Sequence, residues 1–324
     1  MATRKIFAYV FVAWLLACNC ACSQALSHKT FAICGSYLTI TSPDARAPQI
    51  VFDEFFRLAK LFNFYDPDSE LSHLNRTFNV PVKVSPEMIE LLEISRRVCT
   101  MTNGAFDVSY GALIERWKKF IKAKDQELLP SADEVTALKQ KCGMQYVLID
   151  KKESTVTITK EGLKIDLGGI ADGYMVDKAV AKLKAAGIKD ALIDAGGDIY
   201  CMGKNQGKPW DIGVRNPHID GALLSQELLT DQAITTAGGY EQVFEVKGKK
   251  YCHILDPTTG YPVDNNVVSV TVVAKDCVTA DGFDTPFVIM GEDGVKGFLA
   301  KHPLMMRVFI LLNENGKPRL EVLK

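Results

Sequence analysis

The alternation of apolar and polar residues changes character near the middle of the chain. A run from Phe31 to Thr41 reads as a strand, and from Arg46 to Phe62 apolar residues recur at helical spacing. Tyr65-Asp66-Pro67-Asp68-Ser69 is a polar turn. Ser85-Pro86-Glu87 combines a capping side chain, a proline suited to the first helical position and an acid facing the helix dipole. It predicts a helix running to Asn103-Gly104. Ser131-Ala132-Asp133-Glu134 has capping-box spacing, and Gly143 suits the end of the helix it opens. Strand patterns then dominate over 145–150, 154–160, 163–167, 191–195, 199–203, 210–215, 242–246, 251–255 and 267–274, interrupted by a helix over 171–186. Helices over 279–290 and 294–301 lead to a last hairpin, 305–312 with 319–323, turned by Asn315-Gly316. A helical first part followed by a strand-rich second part predicts an α+β fold, without repeats or a clean domain boundary.

The first 22 residues stand apart as a targeting segment. Arg4 and Lys5 precede an apolar run from Ile6 to Ala17, the charged and hydrophobic regions of a secretory signal. That run is shorter than the roughly 17 to 25 residues of a membrane-spanning helix. Leu15-Leu16-Ala17-Cys18 resembles a bacterial lipobox, so we expect cleavage before Cys18, lipid attachment to its thiol, and a lipoprotein on the periplasmic face of the inner membrane. An ordinary signal cut near Ser23 or Ala25 is the alternative; both export the mature chain from the cytoplasm.

Composition narrows the classes. With 47% hydrophobic and 24% charged residues, the chain is a globule able to bury a large core, which excludes intrinsic disorder and coiled-coil architecture. Its 38 basic and 39 acidic side chains give a net charge of -1, so the overall balance supplies no electrostatic footprint for nucleic acid. Of nine cysteines, Cys18, Cys20 and Cys22 fall in the export segment. Cys34, Cys99, Cys142, Cys201, Cys252 and Cys277 show no C-x-x-C spacing, so neither a zinc ribbon nor a redox motif is present.

Several catalytic motifs fail on inspection. Gly203 to Pro209 has one residue too few for a phosphate loop and a proline where the magnesium-binding hydroxyl belongs. Asp66 to Leu71 lacks the sixth-position glycine of a calcium loop. Cys252 and His253, adjacent on a strand, point to opposite faces and form no dyad. What remains is a constellation. Asp166-Leu167-Gly168-Gly169-Ile170-Ala171-Asp172-Gly173-Tyr174 follows a strand and opens a helix, where free N–H groups receive a phosphate, although a tight turn alone explains the glycine pair. Asp281, Asp284 and Thr285 share a helix face at spacings of three and four. They are hard oxygen ligands for magnesium or calcium, or else acids that cap a first turn. His253, running into Asp256-Pro257-Thr258-Thr259-Gly260, is a general base, a phosphate donor or a packed strand residue. Ala195-Gly196-Gly197-Asp198 and Ala237-Gly238-Gly239-Tyr240 place glycine pairs at strand ends, which either let a planar ring approach or form tight turns.

Taken in order, these segments, together with Tyr65-Asp66-Pro67, Ser69 to Asn75 and Gly104-Ala105-Phe106-Asp107, resemble the ApbE-type FAD:protein FMN transferases from about Phe31 to the C-terminus. The resemblance implies an α+β flavin transferase domain over 31–324, with 1–22 as signal. It implies magnesium-dependent cleavage of FAD, transfer of FMN through a phosphoester bond to threonine or serine of an exported acceptor protein, and release of AMP. By analogy the metal falls to the Gly169 carbonyl, Asp281, Asp284 and Thr285, with Asp284 offering either its carboxylate or its backbone oxygen. Flavin contacts fall to Cys34, Tyr65, Ala105, Phe106, Asp107, Asp166, Asp172 and Leu255, with Tyr240 as a further stacking residue, and His253 is the base. Two positions depart from the family pattern: Cys34 replaces a common methionine, and Asp172 stands where many members carry lysine. A FAD pyrophosphatase using water as acceptor and a flavin-binding lipoprotein without turnover are the competing classes.

Overall fold

Val51, Phe55, Leu58 and Phe62 fall on one stripe of the helix Ala47–Phe62 (α1) and are buried together, which is why this amphipathic segment folds where it does. The computed structural model describes residues 25–33, 35–123, 125–219, 221–239, 243–246, 249–303 and 305–324. Among them follow α2 (Glu70–Asn75), α3 (Pro86–Met101), α4 (Gly111–Ala123), α5 (Ala132–Lys139), α6 (Ala171–Ala185) and α7 (Cys277–Lys301). None is long and apolar enough to cross a membrane. Ser85 and Ser131 cap α3 and α5 as their sequences predict, each hydroxyl accepting an N–H three residues on at 3.2 Å. The Glu134 carboxylate reaches back to the Ser131 backbone as the box predicts, and also binds Arg116 at 2.6 and 3.0 Å.

An eight-stranded antiparallel sheet carries the fold. Its order is Ser27–Ile33, Ser36–Ser42, Ala191–Ala195, Asp198–Met202, Gln232–Gly238, Val267–Ala274, Met306–Glu314 and Lys317–Leu323. The helices α1, α6 and α7 cover one face. The hairpin Trp210–Arg215 with Leu223–Leu229 covers the other, sealing Trp210, Val214 and Leu229 against Cys201, Ile234 and Phe309. Val267–Ala274 is buried on both faces, so its apolar run lacks the alternation of a half-exposed strand. Trp117 and Phe120 of α4 pack with Val135 of α5 and Leu255, and the Trp117 indole N–H donates to the Gly260 carbonyl at 3.0 Å.

Four expectations need correction. The strand expected over 31–41 is a hairpin, with Gly35 at φ +76° in its turn. The stretch 163–167 is not a strand: the Asn75 amide takes the place of a neighbouring strand, accepting from the Ile165 N–H at 2.7 Å and donating to its carbonyl at 2.8 Å. Strand 251–255 ends at Cys252, whose thiol bonds the Ile254 and Val263 carbonyls at 3.4 Å as the chain turns into Leu255–Asp256. The α7 acids lie beyond the first turn, which is capped by Asp276 through the Thr279 N–H (3.0 Å) and by Asp177 through the Cys277 and Val278 N–H groups (2.9 Å each). Capping therefore does not account for Asp281 and Asp284. The break between the two last helices falls at Gly291, φ +68°, as the sequence pattern requires.

Candidate functional site

Two elements, a strand and α7, deliver three carboxylates to one point. Strands Ala191–Ala195 and Asp198–Met202 are joined by Gly196 and Gly197 at φ +66° and +110°, a conformation costly for residues with a Cβ. The turn sets Asp198 at the sheet end. Asp281 and Asp284 come from successive turns of α7, and oxygens of all three carboxylates lie within 4.8 Å of one another. Gly173, at the start of α6, fixes Asp281 by donating its N–H to Oδ2 at 2.8 Å. Helices α6 and α7 touch so closely there that a Cβ on Gly173 would lie 2.5 Å from the Cys277 carbonyl oxygen.

The electrostatics of this cluster are unfavourable without a cation. Burial holds the Asp198 carboxyl well above the usual range, and Asp281, Asp284 and Asp172 raise it further. Burial and the same acids, Asp284 foremost, hold Asp281 high. Burial alone pushes Asp172 up to about 6. Mutually repelling, desolvated carboxylates protonate or bind a cation. All-oxygen donors suit a hard divalent ion, so the residues fit magnesium.

A cavity of about 220 Å³ adjoins this cluster. Gly169 and Thr285 lie on its border, and Phe106, Ile254, Leu255 and Ile289 supply apolar wall. Polar groups converge from Asp107, Asp166, Lys118 and His253. Burial raises the Asp107 carboxyl, while the Ser109 N–H donates to it at 2.8 Å and opposes the rise. Asp166 Oδ1 accepts the Gly168 N–H at 2.9 Å, so this acid also closes the turn ahead of α6. An apolar slot ending at an oxygen cluster suits a planar ring carrying a metal-bound phosphate.

Comparison with known proteins then decides the family, because the ApbE family matches residues 34–310. The chain belongs to the ApbE family. A relative from Vibrio cholerae named FAD:protein FMN transferase is 37% identical over 233 residues, 71% of this chain and 69% of its own. One of that name from Haemophilus influenzae is 31% identical over 259 residues, 78% and 74% of the two chains. The solved flavin transferase ApbE from Vibrio cholerae superposes with a TM-score of 0.82 at 29% identity, covering 92% of this chain and 97% of its own. The ApbE protein from Thermotoga maritima gives 0.81 at 30%, with 92% and 96% coverage.

Within this ApbE chain the structure gathers Ala105, Phe106, Asp107, Asp166, Leu255, Gly169, Thr285 and His253 around one cavity. Tyr65 reaches it through Lys118, whose ammonium donates to the phenol oxygen at 2.9 Å. Asp172 does not line the cavity and faces the acid cluster instead. Cys34 and Tyr240 lie outside the described residues. Sequence reasoning did not place Asp198 with Asp281 and Asp284, although the Gly-Gly-Asp spelling is its signal. Lys118 and Ile114 were missed because the amphipathic pattern of α4 went unread.

Proposed function

We propose that the chain is a magnesium-dependent FAD:protein FMN transferase that splits the FAD pyrophosphate, joins FMN by a phosphoester bond to threonine or serine of an exported acceptor, and releases AMP. The observation that carries this is the meeting of three clustered carboxylates, two of them buried, with a ring-sized cavity at Gly169 and Thr285. Asp281, Asp198, Asp284, Thr285 and the Gly169 carbonyl would hold the ion, which when bound neutralises charge on the pyrophosphate and leaving AMP. Phe106 and Leu255 exclude water from one ring of FAD, and the N-terminus of α6 faces the phosphates. His253, which lines the same cavity as Thr285, takes the proton of the acceptor hydroxyl as that oxygen attacks phosphorus. The names of the relatives support the flavin transfer. Export, with lipid on Cys18, completes the proposal; residues 1–24 lie outside the described structure.

The test is incubation of the mature chain with FAD, magnesium and an acceptor protein bearing the threonine or serine, followed by mass spectrometry. A mass gain of FMN on the acceptor, with AMP released in equal amount and only when magnesium is present, is the expected outcome. AMP and FMN accumulating free, with no labelled acceptor, would instead assign the site to hydrolysis.

A further inference from the structure

Lys118 has no role in the chemistry set out above, yet it occupies the junction of the cavity. Ile114 and Lys118, one helical turn apart on α4, both line the cavity, while Trp117 and Phe120 of the same helix pack in the core. The helix axis is therefore fixed from behind, and the lysine is carried to a set position. Its ammonium lies 3.5 Å from Asp166 Oδ2, donates to the Tyr65 hydroxyl at 2.9 Å, and stands 5.4 Å from the centre of the Tyr65 ring.

The two partners differ in kind. Asp166 is buried, its other oxygen already bound by the Gly168 N–H, so it is a rigid anchor. Tyr65 is 67% exposed. Its backbone is tied down by the Asn63 side chain at 2.9 Å, and its ring is oriented by Lys118 and by an edge contact with Phe64 at 5.3 Å. An ammonium has three N–H donors, and Asp166 and Tyr65 engage two.

We propose that Lys118 is a positioning residue for FAD: braced on Asp166, it holds the Tyr65 ring as the outer wall of the cavity and directs its remaining N–H to an acceptor atom on the bound ring. This rests on the reading that the cavity takes a ring of FAD. The role is in binding, so it acts on the occupancy of the site and leaves the phosphoryl step alone.

FAD titration by fluorescence, paired with AMP release at saturating magnesium, tests it on the mature enzyme. Lys118→Met, which keeps the length of the side chain, should raise the FAD dissociation constant and KM about tenfold, the scale of a lost charged hydrogen bond, with kcat at saturating FAD within about threefold. Lys118→Arg should restore affinity to within about threefold of wild type. Tyr65→Phe should weaken binding in the wild-type background and add less than about twofold to Lys118→Met, since the two act as a unit. An unchanged dissociation constant in folded Lys118→Met overturns the inference, as does a loss of kcat and melting temperature together without a change in affinity. The dissociation constant reads Lys118 even if wild type releases no AMP, an outcome that overturns the functional reading alone.

Discussion

Asp281 concentrates two tasks in one carboxylate: it accepts the Gly173 N–H through Oδ2 and faces two other acids. Asp281→Asn keeps an oxygen for that N–H while removing a charge. We therefore expect a melting temperature at or above wild type in magnesium-free buffer, and a rise of more than about tenfold in the magnesium needed for AMP release. A magnesium titration of AMP release beside a thermal melt checks both; an unshifted titration would remove Asp281 from the metal. Asp198→Asn should shift the same titration, which separates a three-carboxylate site from one built on α7 alone. His253→Ala should slow transfer to the acceptor by roughly 100- to 10,000-fold with FAD affinity retained. Single-turnover labelling of the acceptor reads the first quantity and FAD titration the second. An unchanged transfer rate assigns the base elsewhere.

The contact of α6 with α7 makes a prediction of its own. Gly173→Ala drives a methyl into the Cys277 carbonyl and the Asp281 Cβ, at 2.5 and 2.7 Å from its ideal position, so the helices must part. The expected cost is about 1 to 3 kcal/mol by urea denaturation, with weakened magnesium dependence as Asp281 moves. Unaltered stability would mean that the interface yields at no cost. The same elements show what the sequence makes legible. Helices with strong caps, α3 and α5, and the glycine-broken α7 are readable because local chemistry fixes their ends. The strand Gln232–Gly238 is not: it is spelled with threonine and alanine, and becomes a central strand through neighbours such as Thr271, whose hydroxyl meets that of Thr236 at 2.8 Å. The segment 163–167 misleads for the opposite reason, since its strand-like residues are paired by the distant Asn75. The shared face of Asp281, Asp284 and Thr285 on α7 is legible from i, i+3, i+4 spacing. The contribution of Asp198 depends on a turn that only the tertiary fold brings beside α7.

Across the whole molecule, acids crowd the end of the sheet where Asp198 emerges. Asp172 and Asp177 are each pushed up to about 6, mainly by burial, against 3.8 when unperturbed. Between roughly pH 4 and 6 the native state thus binds more protons than the unfolded chain, and their contribution to stability is lost as pH rises through that window. A cation bound at Asp198, Asp281 and Asp284 would displace protons held by that cluster, so the melting temperature should rise more on adding magnesium at pH 7.5 than at pH 5. Scanning calorimetry at the two pH values checks this, and an equal rise at both would count against metal binding at the acid cluster. The proposed lipid anchor is tested at this scale too: Cys18→Ser should move the protein from the membrane to the soluble fraction on fractionation, and unchanged fractionation would remove Cys18 as the anchor. Sheet topology then bears on where acceptors are met. The edge strand Ser27–Ile33 starts beside Ser42, whose hydroxyl bonds the Asp190 carbonyl, and ends at the turn leading to Ser36, which abuts Gly196 near the acid cluster. A chain anchored at Cys18 would therefore enter the sheet at the end remote from the acid cluster. The residues from Cys18 to Ser27 can span at most about 30 Å, and the strand adds roughly 20 Å more. With lipid on Cys18, the cavity would reach only acceptors that display their hydroxyl within a few nanometres of the bilayer.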